Sequence, residues 1–286
     1  MKATARRKRL RAVLAGSRCV LPASVHDPLS GRIAQEIGFE AAMFAGSLAS
    51  LAVLGGPDLV LVTLTEFAEQ ARRITRAMDV PLIVDADHGY GNALNVMRTV
   101  EELEAAGVAA LTIEDTELPA GFGSSGPRLV SIEEGAGKVR AALHARDDAA
   151  LIIIGRTSAA AITGIDDAIA RCLAYQAAGA DAVFLSGITR RADLETLCAV
   201  MQVPVLLGAL SKELQDTDYL SALGVRIGLQ GHLPIRAAIH AIRRTMQALH
   251  DGTPPAEIGS LAAPAMVDLL TRDVDYRSWT KDFLNG

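Results

Sequence analysis

The chain has 286 residues, is half hydrophobic and only 4% aromatic, and carries a formal charge of −5, which speaks against a nucleic-acid-binding protein with its basic face and aromatic platform. Its length holds either two small domains or one α/β barrel of about 250 residues. Cys19, Cys172 and Cys198 are odd in number and widely spaced; they fit neither a disulfide framework nor a zinc pattern and read as buried free thiols in a reducing cytosol.

The opening Arg6-Arg7-Lys8-Arg9-Leu10-Arg11 is read as the solvated face of a first helix. The apolar run behind it stops at Gly16, too early for a signal peptide, and no stretch is long enough to cross a membrane. A cytoplasmic protein is expected. From there, short apolar runs alternate with amphipathic helices. Val20 to Val25 reads as the first strand, with Pro28 to Ile37 as its helix, and Ala41 to Ala45 as the second strand, ending in Gly46-Ser47. Glu66 to Met78 places Phe67, Ala71, Ile74 and Met78 at helical spacing. The third strand is Pro81 to Val84, followed by a helix over Leu94 to Ala105 that Gly107 stops. Ala109 to Ile113 and Leu151 to Ile154 are the fourth and fifth strands. Helix Asp166 to Ala178 precedes strand Ala182 to Leu185, and helix Ala192 to Met201 precedes strand Pro204 to Leu207. Helix Leu214 to Leu223 leads to strand Val225 to Leu229, and helix Ile235 to Leu249 closes the series.

Eight such strands predict an α/β fold of the (β/α)8 TIM-barrel type over residues 1–252, the N-terminal helix included. An open doubly wound sheet would need a Gly-rich phosphate turn after its first strand, and there is none. Residues 253–286 form a tail whose Ile258, Leu261, Met266, Leu269, Leu270, Trp279 and Phe283 have no barrel position to fill. They pack either on their own barrel or on another subunit.

Barrel geometry collects polar residues at the C-terminal ends of the strands. Ser47 ends the second strand, Asp85 and Asp87 the third, Glu114 and Asp115 the fourth and Arg156 the fifth, while His232 follows the eighth in Gln230-Gly231-His232. Two acids at the end of an apolar strand are costly to bury without a cation between them, and Mg²⁺ or Mn²⁺ is the natural oxygen-liganded partner. Arg156 can grip a carboxylate with its planar fork, or form a structural salt bridge to a neighbouring acid.

Asp85-Ala86-Asp87-His88-Gly89-Tyr90-Gly91-Asn92, Thr112-Ile113-Glu114-Asp115 and Gly155-Arg156-Thr157 resemble the isocitrate lyase/phosphoenolpyruvate mutase superfamily. Phe44 to Leu51, Asn92 to Val100 and Gly231-His232 are similar to its oxaloacetate decarboxylase branch in particular, so the likeness spans nearly the whole chain. The resemblance implies a helix exchanged between subunits and a homotetramer built as a dimer of dimers. It implies one Mg²⁺ per subunit, held directly by Asp85 and through water by Asp87, Glu114 and a further acid at the position of Asp58. Ser47, Arg156 and His232 match substrate-binding positions, with Arg156 and His232 in catalytic roles. The implied reaction is decarboxylation of oxaloacetate, or of its 3-methyl analogue, to a 2-oxo acid and CO2 through a metal-stabilised enolate. A phosphonopyruvate-processing enzyme and a non-catalytic 2-oxo-acid-binding barrel are the competing expectations.

Two departures bear on the chemistry. The superfamily's lyases carry a Cys-containing loop after the fourth strand, whereas Leu118 to Gly126 has no Cys, Lys or His; retro-aldol cleavage is therefore not expected. Members of the decarboxylase branch can also carry a tyrosine near the seventh strand, where this chain reads Leu207-Gly208-Ala209-Leu210-Ser211.

Overall fold

The computed structural model describes residues 1–284. Its eight strands are β1 (Ala23–Ser24), β2 (Ala42–Phe44), β3 (Leu82–Asp85), β4 (Ala110–Glu114), β5 (Ile152–Thr157), β6 (Ala182–Leu185), β7 (Val205–Leu207) and β8 (Val225–Gly228). All are parallel and bonded in sequence order. The ring closes where Val20 bridges Ile227: the Val20 N–H donates to the Arg226 carbonyl at 2.8 Å, and the Val20 carbonyl accepts from Gly228 N–H at 3.1 Å. The predicted first strand is shortened to two paired residues. Pro22 interrupts it, because a proline has no N–H to give the ladder.

The helices are α1 (Ala3–Ala15), α2 (Pro28–Ile37), α3 (Gly46–Ala49), α4 (Leu64–Ala77), α5 (Ala93–Ala105), α6 (Ile132–Ala145) and α7 (Ala159–Ile162). After them come α8 (Ile165–Ala177), α9 (Arg191–Cys198), α10 (Thr217–Ala222), α11 (Leu233–His250), α12 (Pro264–Thr271) and α13 (Asp273–Phe283). Side chains at their N-termini cap several of them. Asp27 and Ser30 form a capping box on α2, as do Thr63 and Glu66 on α4 and Asn92 and Asn95 on α5. None of the described helices is long and apolar enough to cross a membrane.

Two layers of apolar packing follow from strand alternation. Inward residues such as Met43, Ile83, Ile152, Ile154, Leu206 and Ile227 fill the barrel, and outward ones such as Phe44, Val84, Leu111 and Ile153 meet the helices. Leu10 and Leu14 of α1 join the inner layer, so this helix plugs the N-terminal end of the barrel. The basic run is therefore not a solvated face throughout. Arg6 and Arg7 are buried at 8% and 4% exposure. Arg7 donates to the carbonyls of Val108 and Glu104 at 3.0 and 2.7 Å and pairs with Asp148 at 2.7 Å. Arg11 reaches the Ala150 and Leu151 carbonyls, each at 2.9 Å. These arginines satisfy carbonyls of the helix-to-strand turns that the plug would otherwise bury unpaired.

In the tail, α12 lies against α2, and Arg32 donates to the Leu270 carbonyl at 2.8 Å. Ile239, Ile242 and Met246 of α11 stay exposed, as do Trp279 and Phe283 of α13.

Candidate active site

The strand register decides which polar side chains meet. Asp85 is paired with Thr112, and Glu114 with Arg156, which is paired in turn with Phe184. Partners in a parallel ladder face the same side of the sheet, so all five point into the barrel mouth. There the Thr112 hydroxyl donates to Asp85 Oδ1 at 2.7 Å, and Arg156 bonds Asp85 Oδ2 through Nη1. Its Nη2 lies 3.2 Å from Glu114 Oε2, and its guanidinium sits 5.3 Å above the Phe184 ring. Gly155 precedes this arginine for a reason of space: a Cβ there would lie 2.8 Å from the Cβ of Tyr175.

After β3 the chain turns sharply. Asp87 takes a left-handed conformation with φ of +47°, and its carbonyl accepts from the Glu114 N–H at 2.9 Å. Its carboxylate rests on the first turn of α3, where a side chain at Gly46 would come within 2.6 Å of Oδ2. His88 is buried behind this turn, and its carbonyl takes the buried Lys138 Nζ at 3.2 Å.

These groups open into a cavity of about 710 Å³ whose lining includes Ser47, Asp58, Asp85, Asp87, Glu114, Arg156 and His232. These seven expected residues thus reach one space. Asp115 does not: it faces outward and is buried between Arg171 Nη1 at 3.0 Å and Tyr175 Oη at 2.5 Å. The sequence reading missed Thr112, Thr116, Ser158, Phe184 and Ser186. Thr112 was legible, since it stands two residues before Glu114 and strand alternation puts both on the inner face.

The charges are crowded. Burial, then the neighbouring Asp85 and Glu114, pushes the Asp87 carboxyl up to about 8. Burial likewise raises Glu114 to about 7, against the opposing pull of Arg156. Arg156 stays cationic, because the three surrounding acids outweigh its own burial. One guanidinium among two buried carboxylates and a third that is partly buried leaves a deficit that a divalent cation would meet. Among the described residues no three carboxylate, imidazole or thiolate groups converge tightly enough to cage a metal. Asp85, Asp87 and Glu114 still present carboxylate oxygens to the cavity, the donor type that a hard divalent cation takes.

A family model described as phosphoenolpyruvate phosphomutase matches residues 10–250. The chain belongs to that family. It is 57% identical over 267 residues, 93% of each chain, to an oxaloacetate decarboxylase of Rhodopseudomonas palustris (strain BisB18). Its fold is similar to a phosphoenolpyruvate phosphomutase from Streptomyces platensis subsp. rosaceus, with a TM-score of 0.87, 31% identity and full coverage of both chains. It is also similar to a phosphonopyruvate hydrolase in complex with oxalate and Mg²⁺, with a TM-score of 0.85, 31% identity and full coverage of both. Thr116 pairs with Leu129 as a short antiparallel stem, and Leu118, Pro119, Ala120 and Pro127 line the cavity without a thiol, amine or imidazole.

Proposed function

We propose that the chain decarboxylates oxaloacetate to pyruvate and CO2, with the 3-methyl analogue as a further substrate. The observation that carries this reading is the set of Asp85, Asp87, Glu114 and Arg156 gathered at the barrel mouth, facing a cavity with no nucleophilic thiol or amine in its lining. The decarboxylase named above, alike over 93% of each chain, supports the same reaction.

Asp85 would hold a Mg²⁺ or Mn²⁺ directly, and Asp87, Glu114 and Asp58 would hold its waters. When bound, the ion supplies Lewis-acid withdrawal of the electrons that the departing CO2 leaves on the substrate. Arg156 then has two duties, balancing the acids and presenting its fork to a substrate carboxylate. Ser47 offers its hydroxyl at the start of α3, at the cavity wall. Met43, Phe184, Leu229 and Ile162 form an apolar wall. A carboxylate held against such a wall loses hydration that uncharged CO2 does not need. His232 comes from the opposite side of the cavity, and burial holds its ring below the ordinary imidazole range, so it is neutral near pH 7.

The same proposal makes the functional unit a homotetramer, a dimer of dimers with exchanged helices. Its support is the apolar groove of about 620 Å³ between α2 and α11, lined by Leu29, Ile33, Ile37, Leu233 and Ile242. A cytoplasmic site of action suits the three free cysteines.

The test is release of pyruvate and CO2 from oxaloacetate with and without Mg²⁺, after subtraction of the free-metal reaction. Asp85→Ala should keep the fold and lose metal-dependent turnover. Unchanged turnover in that variant, indifferent to chelator, would end this reading, and turnover of phosphonopyruvate alone would replace it.

A further inference from the structure

Ser24 is the last residue of β1 and the register partner of Met43, so its side chain enters the barrel beside the cavity wall. It does not line the cavity itself. It stands behind His232, with its Oγ 3.0 Å from Nδ1 of the imidazole. His232 occupies the turn between β8 and α11, just after Gly231, whose φ is +78°. One ring nitrogen is thus engaged from behind, and the other edge of the ring is left to the cavity that His232 lines.

Two arrangements of protons satisfy that contact. If Nδ1 carried the proton, it would donate to Oγ, and the serine hydroxyl would need another acceptor. Among the described residues Oγ makes no other hydrogen bond, and Ser24 is half-buried along the largely apolar groove between α2 and α11. Solvent alone would be left there to take the hydroxyl proton, a weaker arrangement than donation to the ring. If the hydroxyl donates instead, Nδ1 accepts, and a neutral ring must carry its proton on Nε2. The charged groups that face this ring from β3 and from the segment after α3 are Asp85 and Asp58.

We propose that Ser24 is a positioning residue that locks His232 as the Nε2–H tautomer, so that the imidazole presents a hydrogen-bond donor to a carboxylate oxygen of the substrate. This rests on the reading of His232 as a substrate-contacting group. The wrong tautomer would aim a lone pair at an anionic oxygen, which turns an attraction into a repulsion. The effect therefore falls on substrate binding, and no proton leaves the ring.

The experiment is 15N NMR on the full-length Mg²⁺-loaded protein labelled at histidine, with His232 assigned from the signals missing in His232→Gln. Steady-state kinetics on oxaloacetate accompany it. Wild-type protein should show Nδ1 unprotonated and Nε2 protonated at neutral pH. Ser24→Ala should mix the two tautomers and raise KM about twofold where they become equally populated, because affinity scales with the competent fraction, with kcat little changed. Ser24→Thr, which keeps the hydroxyl, should restore both. A protonated Nδ1 in the wild-type protein overturns the assignment without any variant, and a Ser24→Ala protein with wild-type KM overturns it as well. His232→Gln with wild-type KM would instead overturn the substrate-contact reading beneath it, whatever the tautomer.

Discussion

Replacing Glu114 by glutamine should stabilise the metal-free protein while disabling it. Glu114 is buried at the end of β4, and burial raises its carboxyl from 4.5 to about 7 although Arg156 opposes the rise. At about 1.4 kcal/mol per pH unit, that difference between unfolded and folded chains makes ionised Glu114 a liability on the order of 3 kcal/mol. The sign follows from which state ionises first. Below about pH 4.5 both states hold the proton and there is no loss; between 4.5 and 7 the unfolded chain ionises while the fold does not, and stability drains away; above 7 the loss is complete. Glutamine keeps the shape of the neutral acid and never ionises. Since about 1 kcal/mol moves Tm by about 2–4 °C in a protein of this size, Tm in EDTA at pH 8 should rise by about 6–12 °C in Glu114→Gln. The two proteins should converge near pH 4. Mg²⁺ should raise Tm of the wild type more than that of the variant, and decarboxylation should fall about 10- to 100-fold, as when a group orienting a metal's shell is lost. Circular dichroism melts across pH, paired with the pyruvate assay, measure all of this. A variant less stable than wild type at pH 8, or a gap independent of pH, would refute the reasoning.

Three further outcomes are expected. Thr112→Val removes the hydroxyl that holds Asp85 Oδ1 at 2.7 Å; it should cost about 1–3 kcal/mol in urea melts and weaken Mg²⁺ binding by calorimetry about 10- to 100-fold. Arg156→Lys keeps the charge but not the fork that spans Asp85 and Glu114, so kcat/KM should fall about 100-fold while Tm in saturating Mg²⁺ moves little. Arg171→Met strands the buried Asp115, whose partners are Arg171 and Tyr175. That should destabilise the fold by about 3–5 kcal/mol in denaturant titration, on the side of β4 that faces away from the cavity.

The barrel itself was legible because its evidence is local. Runs such as Leu82 to Val84 and Leu151 to Ile154 carry no charge and are short enough to read as strands buried on both faces, and the helical spacing of Phe67, Ala71, Ile74 and Met78 marks a helix between such runs. The charged groups of the site were legible for the same reason: Asp85, Glu114 and Arg156 stand where apolar strands stop, and closing the ring gathers strand ends at one mouth. Facing direction and partner choice belong to the tertiary structure. Glu114 and Asp115 are neighbours in the chain, yet one enters the cavity and the other is buried against Arg171, because successive strand residues point to opposite sides. The basic opening run reads as a wet helix surface until the barrel floor is in place. Only then do the carbonyls of Val108, Glu104 and Ala150 lie within reach of Arg7 and Arg11. Ser24 and His232 are separated by 208 positions in the chain, and no pattern within either segment announces their contact. Composition and period chose the elements; the closure of eight strands into one ring decided which side chains would share a space and a charge.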